Sequence, residues 1–264
     1  MPLRRRGFLL ALPALLIGCV VPDEVNAAGL DQTTKRRIKA ITNVFEVGGP
    51  EADYGYVEDL RDGRGFTVTN YGFCTNTREV SQVIQRHAAR AHRSQLTSFL
   101  PRLPPHTNGT DTAALKDFPE VWRNEAKASH RLGIACEQVA DRLFFRPAVK
   151  AAASFQLIGP LGLAIVYDTL LQHGDGEDAD SLGAIHARTV DLAGNPEQAG
   201  ELDFLFAFLE VRRDVLTSPA NTATLEDWQA SVTRVDALQL ILTENPDLEP
   251  PIRVRNSEVD VTIA

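Results

Sequence analysis

The feature that most constrains how this chain folds is a long apolar segment at residues 148–172. A helix that is apolar on every side has to be buried in the middle of a sizeable core. Gly159 and Pro160 fall inside the segment, and the helix must bend or break there, because proline lacks a backbone donor and clashes with the preceding turn. We therefore expect an interrupted central helix. A chain of 264 residues with 44% hydrophobic content can bury it in one compact, two-lobed domain.

Most of the remaining chain carries helical patterns. Between Asp31 and Gly48, apolar residues recur at helical spacing, and a Gly-Gly-Pro run ends the pattern. The single sheet signal is a β-type stretch at residues 65–73, and the Pro-rich tail at residues 245–253 is predicted to lie along the surface. Further helices are predicted over residues 79–100, 115–145, 182–192, 197–216 and 225–243. The predicted fold class is mostly α with a small β-sheet.

The charge balance limits the choice of ligand. The chain has a formal net charge of −8, whereas binding to a phosphate backbone needs a positive field. This excludes nucleic acid as a partner and favours a cationic or neutral ligand.

The N-terminus has the features of an export signal. Residues 1–19 contain three arginines near the start, followed by a mostly apolar run that is too short to span a membrane. The expected cleavage follows Ala27, so residues 1–27 are a signal peptide and residues 28–264 the mature domain. Lipid attachment at Cys19, in a lipoprotein-like box, is the alternative. We expect a secreted protein, extracellular or periplasmic, without an integral membrane span.

Cleavage after Ala27 changes both the charge and the cysteine count. It removes three arginines and two acidic residues, so the net charge falls by one, to −9. Cys74 and Cys136 remain, and two cysteines in an exported chain permit one disulfide without requiring it. Their apolar contexts, YGFCTN and GIACEQV, favour buried free thiols.

Common catalytic and metal-binding signatures are missing from the sequence. It contains no GxSxG, HExxH, phosphate-binding loop or cysteine-rich metal spacing. The acidic run at residues 175–180 lacks the turn glycine of a calcium loop, so a solvated loop is predicted. His87 and His92 are poorly spaced for a shared metal, and we expect both to be solvated. No metal or organic cofactor is predicted.

The stretch EDLRDGRGFT, at residues 58–67, places three carboxylates and two arginines in a turn that leads into the β-type stretch. Asp62 lies in this turn, and Glu46 lies at the end of the first predicted helix, where the helix dipole tends to raise its pKa. Glycoside hydrolysis needs such a pair, with one carboxyl protonated and the other ionised. On spacing alone, a solvated glutamate and an ordinary Asp-Gly turn explain the pair better.

The motifs ITNVFE, YGYVEDLRDGRGFT and YGFC resemble the N-terminal signature of glycoside hydrolase family 46, the endo-acting chitosanases. The likeness continues in the family's order through RLFFRPAV, YDTLLQHG, FLEVRR, TRVD and DLEPP. It covers essentially the whole chain after the predicted signal peptide. The resemblance implies a lysozyme-like, mostly helical (α+β) fold of two lobes, with a small β-sheet and a cleft between the lobes.

The resemblance also implies roles for individual residues. Glu46 matches the family's general acid, Asp62 its general base and Thr67 the threonine that helps hold the attacking water. Family members invert the anomeric carbon, which requires the two carboxyls to stand roughly 6.5–9.5 Å apart. The residues implied in substrate binding are Tyr56, Arg64, Glu79 and His173. Those implied in a buried structural charge network are Asp59, Asp168, Arg212 and Arg234.

Three positions depart from the family's pattern. Glu79 is the nearest match to an acid that binds a glucosamine amine, and Ser218 stands where a second acid is expected. Val47 follows the implied catalytic glutamate, where a small polar residue is usual. These departures affect the expected preference among sugar units rather than the chemistry.

The resulting hypothesis is a secreted, monomeric hydrolase that cleaves internal β-1,4 bonds of chitosan with inversion and needs no cofactor. An acidic protein suits this polycationic substrate. Two alternatives stay open. One is a hydrolase of another amino-sugar polymer, such as peptidoglycan or a cationic exopolysaccharide. The other is a non-catalytic, sugar-binding envelope lipoprotein anchored at Cys19.

Overall fold

The computed structural model describes residues 30–91 and 93–264. The predicted signal peptide and the alternative lipid site at Cys19 lie outside the described residues, as does His92. The chain divides into two compact units. The first unit joins the residues up to Glu51 to Phe144–Ala264, and the second unit is Ala52–Leu143.

Helices dominate both units, as the sequence predicted. In chain order they are α1 (Gln32–Val47), α2 (Arg78–Ala88), α3 (Phe118–Ala128), α4 (His130–Ala140), α5 (Arg146–Ser154), α6 (Pro160–His173), α7 (Leu182–Ala193), α8 (Pro196–Ala199), α9 (Glu201–Thr217), α10 (Leu225–Ala230) and α11 (Thr233–Glu244). Segments of 3-10 helix are Gln95–Arg102 and Thr222–Thr224, and Asp141–Phe145 is a π-helical turn. The strands are β1 (Val57–Asp59), β2 (Phe66–Val68), β3 (Phe73–Cys74), β4 (Ile252–Arg255) and β5 (Asp260–Ile263).

Among the helices described, none combines the length and the apolar character needed to cross a membrane.

Helix α1 begins and ends where its sequence signals predict. The Asp31 carboxylate accepts hydrogen bonds from backbone N–H groups of the first turn, which have no acceptor within the helix. At the other end Gly48 adopts a left-handed φ of 75°, and its N–H donates to the Val44 carbonyl. This termination places Glu46 in the last turn of the helix.

The apolar segment forms the centre of the first unit's core. Pro160 starts α6 directly after the N-cap Gly159, a position where proline's missing N–H removes no helical hydrogen bond. From Leu161 to His173 every residue of α6 is buried. Side chains from α1, α9 and α11 share this core, including Ile41, Phe208 and Leu238. Polar groups on α6 therefore need partners within the protein.

The C-terminal tail forms a second sheet that the sequence analysis did not predict. Strands β4 and β5 pair antiparallel, with Ile252 opposite Ile263 and both side chains buried. The hairpin packs against α1 and α11. The expectation of a plain surface tail over residues 245–253 is thus wrong for its last part, because four-residue strands next to prolines give only a weak alternation signal.

The second unit contains a three-stranded antiparallel sheet in the order β1-β2-β3. Asp59 pairs with Phe66 across β1 and β2, and Thr67 pairs with Cys74 across β2 and β3. The predicted stretch at residues 65–73 covers most of β2 and β3, whereas β1 was not predicted. The acidic and basic turn of the sequence is therefore the hairpin loop between β1 and β2.

Aromatic rings form the core beneath this sheet. The Phe118 ring lies 6.0 Å from Phe66, 5.3 Å from Phe99 and 5.5 Å from Trp122, measured between ring centroids. The Trp122 indole N–H donates to the Tyr54 carbonyl at 2.9 Å. These contacts fix the sheet to α3.

Helix α2 is shorter than predicted, and one of its histidines is buried. The helix ends at Ala88, well before residue 100. His87, expected to be solvated, is 2% exposed, and its Nε2 pairs with the Glu125 carboxylate. It follows Val83 and Ile84 on the inner face of an amphipathic helix, so the helical period carries it inside.

Candidate active site

Glu46 lies in a charged cluster within the first unit. Its Oε1 accepts a hydrogen bond from Nη2 of Arg234 at 2.5 Å, and its side chain is only 5% exposed. Arg234 comes from the first turn of α11, and its guanidinium lies over the Phe45 ring, 5.2 Å from the ring centroid. The carboxyl is therefore fixed between the end of α1 and the start of α11.

Burial raises the pKa of Glu46 to about 7, although the charge and hydrogen bond of Arg234 act to lower it. The nearby negative charge of Asp168 raises the pKa further. The helix-end position predicted the direction of this shift, but burial is its main cause. A carboxyl with this pKa keeps its proton in mildly acidic solution and can donate it there.

Asp168 and Arg212 extend the cluster into the core. Nη2 of Arg212 donates to Oδ2 of Asp168 at 2.7 Å, and both side chains are fully buried. Nε of Arg234 lies 3.9 Å from the same oxygen. The structure thus brings three of the four residues expected in the charge network together with Glu46. Alternating charges let each buried ion face an opposite one.

His173 belongs to this buried cluster, so its expected role in substrate binding is corrected. The residue is 3% exposed. Its Nδ1 lies 2.9 Å from the Asp180 carbonyl, and its Nε2 accepts a hydrogen bond from Nε of Arg212 at 3.3 Å. Burial, with the charge of Arg212, holds the pKa of His173 well below its ordinary value. The ring is therefore neutral with its proton on Nδ1, and both nitrogens are engaged within the protein.

Gln172 is a member of the cluster that the sequence analysis missed. Its Oε1 accepts from Nη2 of Arg212 at 2.6 Å, and its Nε2 donates to the Ser231 hydroxyl at 2.7 Å. A signal was present in the sequence, because Asp168, Gln172 and His173 are strongly polar residues in a mostly apolar helix. Such residues need partners, which marks them as members of one network.

The acidic run at residues 175–180 was expected to be solvated, but its last residue is buried. Asp180 is 5% exposed, and its carboxylate accepts backbone N–H bonds from Ala220 and Asn221 at 2.9 and 3.0 Å. It ties the loop after α6 to the loop after α9. In residues 30–91 and 93–264, no group of three or more His, Cys, Asp or Glu side chains is arranged to hold a metal ion.

Asp62 lies in the hairpin loop of the second unit. The loop uses left-handed backbone at Arg61, Gly63 and Gly65, with φ of 57°, 81° and 76°. A Cβ at Gly65 would meet the Thr75 hydroxyl at 2.1 Å, so glycine is required at the base of the loop both for its backbone and for space. The glycines of the motif thus hold Asp62 at a defined position.

Arg64 is bonded to Asp62 through both its backbone and its side chain. The Arg64 backbone N–H donates to Oδ1 at 3.0 Å, while Nε and Nη2 donate to Oδ2 at 2.9 and 2.7 Å. Partial burial alone would raise the pKa of Asp62, but the hydrogen bonds and charge of Arg64 outweigh it, and the pKa is lowered. Asp62 therefore stays ionised in mildly acidic solution. Arg64, expected to bind substrate, is a direct partner of the predicted base.

Thr67 lies on β2 directly opposite Cys74 on β3. Thr67 is 5% exposed, and its hydroxyl oxygen lies 3.5 Å from the Cys74 sulfur. The Cys74 thiol also donates to the Gly72 carbonyl at 3.3 Å. Cys74 and Cys136 are both buried free thiols, as their apolar contexts indicated.

Glu79 and Tyr56 are the remaining residues implied in substrate binding. Glu79 lies in the first turn of α2. Its Oε2 is buried without a hydrogen-bond partner, and within the described part of the second unit it forms no ion pair with Arg78. The Tyr56 hydroxyl donates to Oε2 of Glu58 at 2.8 Å. The roles of both residues stay predictions.

Asp59 was expected in the buried charge network, and the structure corrects this. It ends β1 in the second unit with an exposed side chain. Its Oδ1 accepts a hydrogen bond from the backbone N–H of Arg61 at 2.8 Å. The residue shapes the start of the hairpin loop, a common use of aspartate in turns. Ser218, the other departure noted in the sequence, is exposed at the end of α9.

This mostly helical protein has one carboxyl with a raised pKa and another with a lowered pKa. Glycoside hydrolases that use acid–base catalysis combine two carboxyls of this kind. The chain belongs to glycosyl hydrolase family 46, whose family model matches residues 40–252. This confirms the resemblance seen in the motifs.

Similar proteins share both the sequence and the fold. The chain is 39% identical over 244 residues to a chitosanase of Bacillus subtilis (strain 168), covering 90% of this chain and 88% of that protein. A crystal structure of native chitosanase from Bacillus subtilis MY002 has a TM-score of 0.78 at 38% identity, covering 89% of this chain and 100% of that one. A complex of a Gynuella sunshinyii family 46 chitosanase with chitotetraose has a TM-score of 0.77 at 34% identity, covering 89% of this chain and 99% of that one. The predicted mostly helical, lysozyme-like fold class is confirmed.

Proposed function

We propose that the protein is a secreted chitosanase that hydrolyses internal β-1,4 bonds of chitosan with inversion. Glu46 is the general acid, which protonates the leaving glycosidic oxygen. Asp62 is the general base, which takes a proton from the attacking water, and Thr67 holds that water. The opposite pKa shifts of the two carboxyls carry this assignment.

The assignment follows from what each step needs. A general acid must hold a proton at the working pH, and burial gives Glu46 a pKa of about 7. A general base must be ionised at the same pH, and the hydrogen bonds from Arg64 keep Asp62 charged. The reverse assignment would require a partly exposed, arginine-bound aspartate to carry a proton, which its lowered pKa opposes.

A cationic polymer is the substrate that the charges favour. The net charge of −8 attracts a polycation and makes capture sensitive to salt. Glu79 offers a buried carboxylate oxygen without a protein partner, and an ammonium group is a suitable partner for such an oxygen. We therefore assign Glu79 to recognition of a glucosamine amine, and we assign Tyr56 and Arg64 to substrate binding as the family resemblance implies.

Secretion is part of the proposal and rests on the N-terminal sequence. The basic start and short apolar run of residues 1–27 support export, with Cys19 as the alternative lipid site. Mass analysis of the protein recovered outside the cytoplasm tests it. A mature chain starting at Ala28 supports cleavage after Ala27, whereas a lipid-modified Cys19 would replace secretion with membrane anchoring.

Product analysis tests the catalytic proposal directly. The mature chain is incubated with chitosans of defined acetylation, and proton NMR follows the anomer that forms first, with mass spectrometry for oligomer length. We expect internal cleavage and α-anomeric products from the β-linked polymer. β-Anomeric products would overturn inversion. Cleavage of chitin or cell-wall sacculi in place of chitosan would favour another amino-sugar polymer, and binding without cleavage would favour a non-catalytic protein.

A further inference from the structure

We propose that Cys74 is a positioning residue for the hydrolytic reaction, because its sulfur accepts the Thr67 hydroxyl proton and thereby orients the Thr67 oxygen. The inference rests on the proposed function, in which Thr67 holds the attacking water. It adds to that function a reason why a buried cysteine stands opposite the threonine.

Strand pairing brings the two side chains together. Thr67 and Cys74 are direct cross-strand partners on β2 and β3, so their side chains lie on the same face of the sheet. The hydroxyl oxygen and the sulfur are 3.5 Å apart, and the two residues are 5% and 3% exposed. Protein packing, rather than solvent, therefore decides how the hydroxyl points.

The direction of the hydrogen bond follows from the third partner. The Cys74 thiol donates to the Gly72 carbonyl at 3.3 Å, and a thiol has only one proton to give. The sulfur can then only accept from Thr67, so the Thr67 hydroxyl must be the donor. Burial raises the pKa of the Cys74 thiol, which is consistent with a thiol that keeps its proton.

A threonine oriented in this way suits a nucleophilic water. With its own proton committed to sulfur, the Thr67 oxygen can only accept a hydrogen bond from the water. One water proton then points to Thr67 while the other passes to Asp62, and the water lone pair stays available to attack the anomeric carbon. A Thr67 hydroxyl free to rotate could instead donate to that lone pair and compete with the attack.

A double-mutant cycle on the mature chain tests the inference. We expect Cys74→Ala to lower kcat on chitosan roughly fivefold, the size of one neutral hydrogen bond, with little change in KM. Cys74→Ser should retain more of kcat, because serine can also donate to Gly72 and accept from Thr67. In a Thr67→Ala background, Cys74→Ala should have no further effect on kcat.

A second buried thiol in the same unit provides the control. Cys136→Ala removes a buried sulfur on α4 and should change the melting temperature without changing kcat. If Cys74→Ala lowered kcat by the same factor with and without Thr67, Cys74 would act independently and the inference would be wrong. A Cys74→Ser variant no better than Cys74→Ala would also contradict it. Failure of the wild-type chain to cleave chitosan would instead refute the proposed function itself.

Discussion

Each of the two units contains one of the proposed catalytic carboxyls, and the pKa values of the two carboxyls are shifted in opposite directions. In the first unit Glu46 is buried among charged side chains, with its side chain 5% exposed, and burial raises its pKa to about 7. In the second unit Asp62 lies in a hairpin loop with its side chain 29% exposed, and hydrogen bonds from Arg64 lower its pKa. Each carboxyl has an arginine partner, yet the shifts differ in sign.

The difference shows that an arginine contact alone does not decide the protonation state of a carboxyl. Arg234 lowers the pKa of Glu46, but the cost of burying the charged form is larger. Burial also acts to raise the pKa of Asp62, but the hydrogen bonds and the charge of Arg64 together outweigh it. In mildly acidic solution the carboxyl of the first unit is therefore protonated and that of the second unit is ionised.

The largest expected effect comes from removing either carboxyl. Glu46→Gln cannot donate a proton and Asp62→Asn cannot accept one, so we expect kcat on chitosan to fall by roughly two to four orders of magnitude in each variant. Steady-state kinetics measures the loss, and circular dichroism checks that the fold is kept. Near wild-type turnover in either variant would refute its assigned role.

The next largest effect concerns the stability of the buried cluster in the first unit. Asp168→Asn leaves Arg212 without its charged partner, and Arg234→Ala leaves Glu46 without its arginine and Asp168 with Arg212 alone. Breaking a buried ion pair costs about 3–5 kcal/mol in the free energy of unfolding, so both variants should melt at clearly lower temperature.

An exposed ion pair in the same unit serves as the control for this prediction. Arg253 and Asp260 form a hydrogen-bonded pair on the β4–β5 hairpin, with about half of each side chain exposed. Arg253→Ala should leave the melting temperature nearly unchanged, because exposed pairs contribute little. Equal melting temperatures for Asp168→Asn and Arg253→Ala would show that the buried cluster does not support the fold.

The pH profile separates the two carboxyls. Activity should fall as pH rises through about 7, where Glu46 loses its proton, and fall again in strong acid, where Asp62 gains one. Arg64→Gln keeps the backbone N–H donor but removes the guanidinium donors and the charge that lower the pKa of Asp62, so the acidic limb should move to higher pH while the alkaline limb stays. Arg61→Gln, an exposed neighbour in the same loop, is the control. If Arg64→Gln moved both the acidic and the alkaline limb of the pH profile, the pKa values of Asp62 and Glu46 would not be controlled separately.

The smallest predicted effect is on the preference between deacetylated and partly acetylated chitosan. Glu79→Gln should raise KM for fully deacetylated chitosan more than for a partly acetylated one, because only the glucosamine ammonium needs a carboxylate partner. Since Ser218 replaces a second expected acid, the wild-type chain should also tolerate acetylated units well, and Ser218→Glu should reduce that tolerance. If Glu79→Gln changed KM equally on both polymers, Glu79 would not be the residue that recognises the glucosamine amine.

Local signals predicted the elements that depend on neighbouring residues. Asp31 and Gly48 set the ends of α1, and Gly159 with Pro160 set the break before α6, because capping and proline geometry act over a few residues. The β4–β5 hairpin was missed because its pairing and its burial against α1 and α11 depend on distant parts of the chain. The glycines of the β1–β2 loop indicated the turn, but not the strand before it.

The candidate site was predictable in the same way: local motifs indicated individual residues, but not the contacts that depend on distant parts of the chain. The family motifs identified Glu46 and Asp62, while the size and cause of the Glu46 shift depend on burial that no motif reveals. The family resemblance implied a substrate-binding role for His173, because its burial depends on contacts such as that with Arg212, 39 positions away, which no local motif reveals. Asp59 was grouped with buried charges, although its side chain is exposed and accepts the Arg61 backbone N–H.

Carboxyl carbon-13 NMR titration of the mature chain tests the central claim most directly, with Glu46→Gln and Asp62→Asn used to assign the two resonances. The opposite pKa shifts of the two carboxyls predict that Glu46 titrates near pH 7, above its ordinary pKa of 4.5. Asp62 should titrate below its ordinary pKa of 3.8. Two resonances that both titrate at the ordinary values would contradict the account, because neither unit would then tune its carboxyl for its proposed role.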